Sequence, residues 1–329
     1  MHFQPAIAIV TTQTRLRGLL VRWGTRSSAK FRLNQAQAIQ RLAVAGTSME
    51  LSENDQVADD FEQYDQEDHA YNAAVQQLRY EVDLGMPIAM VPREYLPNYD
   101  FRNCCAVVVV GPDGLVANTA KYVGSLPILG VNPDPQRFDG VLLPIQLQQA
   151  RGILLRTLKD AARIREVTMG EVELNDGQKL LAFNDFFIGC RTHVSARYTL
   201  QTEDASEPQS SSGVIVATGA GSTGWLSSVF NLAHGVTQLA GGTSGTAKKF
   251  NWEDRRLAWV VREPFASRQS SATLVAGILE EGKRLQLESM MPEKGIIFSD
   301  GIEADGIDFN SGSIASVRVA EQKARLVTG

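Results

Sequence analysis

Residues 107–123 read VVVVGPDGLVANTAKYV: four valines, then Gly111-Pro112-Asp113-Gly114, then a helix-like segment. In a parallel α/β sheet, ligands sit beyond the carboxyl ends of the strands. Glycine lets the backbone come close to an anion, and a helix that follows points its first N–H groups at it. A carboxylate beside phosphate is unfavourable unless a cation or a proton-accepting role explains it, which makes Asp113 a candidate general base. Pro-Asp-Gly is also a common turn tripeptide, so this stretch alone is compatible with a plain strand-to-helix turn.

Three further stretches have residue types suited to a nucleotide. Residues 129–143, LGVNPDPQRFDGVLL, place Asn132 at a strand end, with Pro133 and Pro135 stiffening the loop. Such a loop can fix Asn132 as a donor–acceptor, and it can equally be a simple proline-rich connection. Residues 183–197, FNDFFIGCRTHVSAR, set Asn184 and Asp185 just before an apolar strand, where amide and carboxylate suit ribose hydroxyls or form an Asx turn. His193 in the same stretch is read as structural. Residues 210–228, SSSGVIVATGAGSTGWLSS, run a strand into a loop dense in glycine and hydroxyl residues, then into an apolar helix start at Trp225 and Leu226. Thr218, Gly221, Ser222 and Thr223 offer N–H groups and hydroxyls to a phosphate or sugar. A helix N-cap at Ser222 or Thr223 would explain part of this pattern. It is not a Walker A loop, because no Gly-Lys-Ser/Thr follows.

The elements that must hold these pieces change character along the chain. In the first half, apolar runs at 6–10, 87–91, 106–110 and 127–131 alternate with helix-like stretches. These stretches are 33–45, the face Tyr71, Val75, Leu78 and Val82, and a long amphipathic helix from Leu147 to Ala161. The valine run has no polar alternation, as a strand buried on both faces of a parallel sheet requires. The second half reads as short strands: 194–200, 214–217, 257–261, 273–278, 296–298 and 315–319. The expected fold is an α/β N-terminal domain with a parallel sheet, residues 1–163, followed by a mostly β C-terminal domain, residues 164–329. Segments 52–68 and 241–249 carry few large apolar residues and are expected to be mobile surface. The second of them is compatible with a lid.

The 329 residues suffice for two cores, and 43% hydrophobic with 21% charged residues is a globular balance. A net charge of −5 offers no basic surface for nucleic acid or an anionic membrane. No apolar run reaches the roughly 18 residues of a membrane span, and the first residues lack a signal-peptide pattern. Three cysteines, two of them adjacent, make neither a disulfide framework nor a zinc set, so a reducing, cytoplasmic location is expected.

In this order the four stretches resemble the NAD kinase family. Gly111-Pro112-Asp113-Gly114 matches its Gly-Gly-Asp-Gly loop, and Leu129-Gly130-Val131-Asn132 its second motif. Asn184-Asp185 matches its Asn-Glu/Asp pair, and Thr218 to Trp225 its Thr-Pro-Thr-Gly-Ser-Thr-Ala-Tyr loop. The Asn-x-Asp-Pro at 132–135 is similar to the mitochondrial type of animal NAD kinase. The resemblance implies ATP-dependent phosphorylation of NAD at the adenosine-ribose 2′-hydroxyl, with Mg²⁺ or another divalent cation on the donor phosphates and no set of metal ligands from the protein. It implies that Asp113 is the catalytic carboxylate and that Gly111 and Gly114 shape the phosphate loop. Asn132, Asn184, Asp185, Thr218, Gly221, Ser222, Thr223 and Trp225 would bind substrate, in a self-associating protein. Pro112 departs from the family by removing one N–H, Leu115 replaces a usual Thr or Asn, Trp225 replaces Tyr, and Ser212 replaces an acidic residue. A kinase of the same fold acting on a sugar or lipid hydroxyl, and a non-catalytic nucleotide sensor, remain alternatives.

Overall fold

The computed structural model describes residues 4–45, 60–243, 245 and 250–329. The first half runs β1 (Ala6–Thr11), α1 (Arg15–Trp23), α2 (Arg26–Ala45), α3 (Asp60–Glu81), β2 (Ile88–Pro92), β3 (Cys104–Val110), α4 (Asp113–Ala120), β4 (Pro127–Asn132), β5 (Ile145–Gln146) and α5 (Ala150–Leu158). The second half runs β6 (Ile164–Leu174), β7 (Lys179–Ala182), β8 (Asp185–Cys190), β9 (Ala196–Gln201), β10 (Ser206–Ser211), β11 (Val214–Ala217), α6 (Trp225–Leu239), β12 (Arg256–Val261), β13 (Ala276–Glu280), β14 (Leu285–Ser289), β15 (Gly295–Ser299), β16 (Ile302–Asp308) and β17 (Ile314–Val327).

Strands β2, β1, β3, β4 and β5 pair in parallel in that spatial order. The chain leaves β1 toward β2 on one side and returns to β3 on the other, so a switch point lies between β1 and β3. The valine run shows why alternation is absent. Val107 and Val109 pack with α4, Phe183 and Ala220, whereas Val108 and Val110 pack with Leu78 of α3 and Leu154 of α5. Strand β17 lies parallel to β4 and antiparallel to β6 and β14, carrying the same sheet into the second half. A second, antiparallel sheet runs β13-β12-β11-β8-β15-β16. Phe186, Ile188, Val214 and Trp259 of that sheet and Tyr198, Leu287 and Val317 of the first share a buried core.

Several expected boundaries move. The helix expected from Leu147 to Ala161 is α5 alone, preceded by one tighter turn at Leu147–Gln149. Asp160 adopts a left-handed φ of 54°, and the Ala161 N–H turns back to the Arg156 carbonyl, which ends the helix. The strand expected at 194–200 starts at Ala196, and that expected at 273–278 is β13, starting at Ala276. The acidic segment 52–68 is described only from residue 60 on, where it is helix α3 rather than mobile surface. Phe61 and Tyr64 there pack with Leu16 and Ala29, while Asp65 and Glu67 pair with Arg26 and Arg15. Residues 52–59, and residues 244 and 246–249 of the second such segment, lie outside the described residues. Among the described residues no helix is long and apolar enough to cross a membrane.

Candidate active site

The Gly111–Gly114 loop is shorter than expected, because α4 already begins at Asp113, with Pro112 in the N-cap position. Gly111 has φ +156°, and a Cβ there would meet Leu115 Cδ2 at 2.8 Å. Pro112 keeps its carbonyl in the helix, accepting from the Leu115 N–H at 2.9 Å. Helix geometry leaves the first N–H groups of α4, on Asp113 and Gly114, without intrahelical acceptors. The missing N–H of Pro112 lies before these donors and does not remove them. Gly114 is exposed, with nothing near a Cβ.

Asp113 is tied to the second motif. The Leu142 N–H donates to Asp113 Oδ1 at 2.5 Å. Leu142 in turn lies on Gly130, where a Cβ would stand 1.9 Å from the Leu142 carbonyl oxygen, so only glycine allows this approach. Asn132 is buried and engaged with its own loop: Nδ2 donates to the Phe138 carbonyl at 3.1 Å, and Oδ1 accepts from the Asp134 N–H at 3.0 Å.

The third and fourth motifs are fastened to each other. The Thr218 N–H donates to the Asn184 carbonyl at 2.8 Å, and the Thr218 hydroxyl donates to the Phe183 carbonyl at 2.6 Å. The Gly221 N–H donates to that hydroxyl at 3.2 Å, and a Cβ on Gly221 would meet the Asn184 carbonyl oxygen at 2.1 Å. The expected N-cap at Ser222 or Thr223 is not formed. Residues Ala220–Thr223 make a turn of 3₁₀ helix, the Ser222 hydroxyl donates to the Gly219 carbonyl at 2.7 Å, and α6 starts after Gly224 with no side-chain cap. Thr223 is exposed. Trp225 stacks on Phe187, centroids 5.7 Å apart, and the Arg262 guanidinium lies over the Trp225 ring, 5.5 Å from its centroid.

Two links join the pairs of motifs. Leu115 and Val116 of α4, Leu142, Phe183 and Ala220 share one apolar cluster. The second link is polar and buried. Lys121, just past α4, extends Nζ to 3.9 Å from Asp300 Oδ2 and donates to the Ser299 hydroxyl at 3.0 Å. Both charged side chains are 1% exposed. The Asp300 carboxylate accepts from the Phe183 N–H at 3.1 Å and the Asn184 N–H at 2.6 Å, so it shapes the chain just before Asp185. Burial pushes the Asp300 carboxyl up and the Lys121 ammonium down, each against the attraction of the other. Burial, helped by the Asp300 charge, pushes Asp185 up to about 7. Beside them the Tyr122 hydroxyl donates to Asp305 at 2.6 Å.

A cleft of about 650 Å³ opens at the switch point, lined among others by Thr12, Arg15, Glu67, Tyr71, Gly111, Pro112 and Arg137. Tyr71 braces its floor, donating to the Val110 carbonyl and accepting from the Thr12 N–H, both at 2.9 Å. The cleft touches the first motif and Pro133 beside the second. Asn184, Asp185 and the Thr218–Trp225 loop are not among its walls. Among the described residues no group of three or more His, Cys, Asp or Glu side chains is placed to hold a metal ion.

No family model matches the chain. It is similar to a probable NADH kinase of Oryza sativa subsp. japonica, 26% identical over 59% of this chain and 62% of that protein's length. It is also similar to the mitochondrial NAD kinase 2 of Xenopus tropicalis, 23% identical over 98% of this chain and 90% of that one. Its fold is that of the yeast NADH kinase, solved with NADH (TM-score 0.54, 15% identity, 100% of this chain and 84% of that chain). The Archaeoglobus fulgidus NAD kinase, solved with ATP, shares it too (TM-score 0.51, 14% identity, 98% and 93%). The chain is thus similar in sequence to NAD and NADH kinases and shares their fold. The plant relative is matched over less than two thirds of its length.

Three parts of this site leave little or no signal in the sequence. Lys121 is a lone charge among small and apolar residues at a helix end. Asp300-Gly301 follows the apolar strand Ile296–Phe298, the same strand-end pattern as the four motifs. Arg15, Glu67 and Arg137 come together only through tertiary folding and leave no local signal.

Proposed function

We propose that the protein is an ATP-dependent kinase that phosphorylates the adenosine-ribose 2′-hydroxyl of NAD or NADH. The observation that carries this reading is the attachment of Asp113 and the Asn184-Asp185 loop to one helix, α4, by the Leu115–Phe183–Ala220 cluster and the Lys121–Asp300 pair. In this reading the switch-point cleft takes the donor phosphates. Gly111 gives room at its edge, and the Asp113 and Gly114 N–H groups of α4 face them. Asp113 accepts the proton of the 2′-hydroxyl as its oxygen bonds to the γ-phosphorus and the bond to ADP breaks. The Leu142 N–H holds one Asp113 oxygen and fixes the carboxylate for that task.

Asn184 and Asp185 bind ribose hydroxyls, with Asp185 accepting as a carboxylate. Thr218, Gly221 and Ser222 support this role from behind, because their hydroxyl and backbone bonds shape the Asn184 turn. Thr223 and Trp225 face the dinucleotide, and Asn132 holds the loop that carries Leu142. A divalent cation would arrive with ATP and offset its charge. Mg²⁺ keeps several waters and is ordinarily held through the substrate phosphates, so it would ride on the donor phosphates and leave the second oxygen of Asp113 free for the proton. The same reading extends to self-association of the chain, which sedimentation velocity tests.

Chromatographic analysis of NAD and NADH incubated with the full chain, ATP and Mg²⁺ tests the function. A product carrying one added phosphate on the adenosine ribose is expected. Absence of any phosphorylated dinucleotide, with both nucleotides shown to bind, would refute it.

A further inference from the structure

We propose that Glu67 is a built-in counter-ion of the switch-point cleft, which the phosphate chain of the donor displaces to take up Arg15 and Arg137. The inference rests on the reading that this cleft takes the donor phosphates. Arg15 begins α1, just beyond the carboxyl end of β1, and Arg137 lies in the loop beyond β4. They reach the same carboxylate oxygen from two sides. Glu67 Oε2 accepts from Arg15 Nε at 2.8 Å and from Arg15 Nη2, and lies 3.5 Å from Arg137 Nη1. All three residues line the cleft, with Gly111 and Pro112 on the same wall. Two guanidiniums converging from separate elements on one anionic oxygen is an arrangement suited to a phosphate, since each fork can present two parallel N–H donors.

The local charges explain why Glu67 would yield. Asp134 pairs with Arg137 Nε at 3.3 Å, so among the described residues lining the cleft two arginines are matched by two carboxylates. A triphosphate bound with Glu67 in place would set like charges together in a partly enclosed site. Glu67 stands on α3 at the end of a flexible side chain, 17% exposed, so rotation away from the cleft costs only its two ion pairs. The arginines are more exposed, at 60% and 32%, and are reachable by a ligand from solvent. Glu67 thus keeps the arginines oriented when the cleft holds no ligand and lowers affinity for phosphate by competing with it.

Titration calorimetry of ATP and of inorganic tripolyphosphate into the full-length protein tests this with Glu67→Gln, Glu67→Ala and Arg137→Gln. Both Glu67 variants are expected to bind ATP and tripolyphosphate about 3–10-fold more tightly, and Arg137→Gln at least 5-fold more weakly. Unchanged or weaker binding by folded Glu67 variants, with Arg137→Gln still weakened, overturns the counter-ion proposal and leaves the donor site standing. ATP binding that none of the three variants alters overturns the proposal and the placement of the donor phosphates together.

Discussion

Replacing Lys121 by Met removes the charge and keeps most of the volume, so packing loss is small and the electrostatic consequence is isolated. Asp300 is left 1% exposed with two backbone N–H donors and no cation. Breaking a buried ion pair from one side costs about 3–5 kcal/mol. The 3.9 Å separation is long for a direct contact, and the two N–H bonds persist, so the lower end applies, about 3 kcal/mol. For a chain of this length that is a fall of about 5 °C or more in Tm. The loss has a pH signature. Without Lys121, Asp300 is raised still further above the ordinary carboxylate range. An acid raised on folding contributes stability that is fully present below its unfolded pKa and is lost as pH rises through its folded pKa. The deficit of Lys121→Met against the parent therefore grows from acid to neutral pH. Denaturant titrations at several pH values between 5 and 8, with KM for the dinucleotide measured alongside, form the assay. Loosening of residues 183 and 184 is expected to raise that KM more than it lowers kcat. A stability loss under 1 kcal/mol that is flat across this pH range would refute the reasoning.

Asp185 titrates near 7 in the folded protein against 3.8 when unperturbed, so its contribution to stability is present below pH 4 and fades as pH climbs to about 7. Asp185→Asn is therefore expected to match the parent in stability near pH 4 and to exceed it by roughly 3–4 kcal/mol above pH 7, while binding NAD more weakly. A stability difference that ignores pH would contradict the assignment. In the parent, affinity for the dinucleotide is expected to fall as pH drops through 7 and Asp185 takes up a proton, which binding titrations at pH 6 and 8 check. Pro112→Gly returns the family's residue, yet the α4 donors lie after this position. Its expected result is a stability loss of about 0.4–1 kcal/mol with ATP affinity changed less than threefold; a tenfold gain in affinity would show that the missing N–H matters.

The parallel sheet was legible because strands buried on both faces carry no polar residues, and the valine run shows this directly. The helix signal at Tyr71, Val75, Leu78 and Val82 was legible for the same reason, since that face packs on the sheet. The edges of the second half were harder to read. Strand β10 contains Pro208 and alternates Glu207 and Gln209 inward, a polar pattern that resembles a loop. Glu207 is buried there because the N–H groups of Thr273 and Leu274, residues far off in sequence, donate to it. The first turns of helix α3, up to Asp68, were obscured by their acidity, which is matched by arginines of α1 and α2. At the site, the four strand-end motifs were visible as types and spacings. The roles of Thr218 and Ser222 were not, because a hydroxyl spent on a backbone carbonyl and one offered to a ligand look alike in sequence. The Lys121–Asp300 pair and the Arg15–Glu67–Arg137 cluster depend on contacts between residues 52 to 179 positions apart, which no local pattern encodes.

The central claim is that Asp113 takes the proton of a ribose hydroxyl during phosphoryl transfer. Asp113→Asn tests it most directly, because the amide oxygen can still accept the Leu142 N–H and hold the loop. Steady-state transfer from ATP to NAD and NADH, measured as 2′-phosphorylated dinucleotide, is expected to fall by 10²–10⁴-fold with dinucleotide binding kept within a few-fold. A variant that binds normally and retains parent turnover would contradict the account.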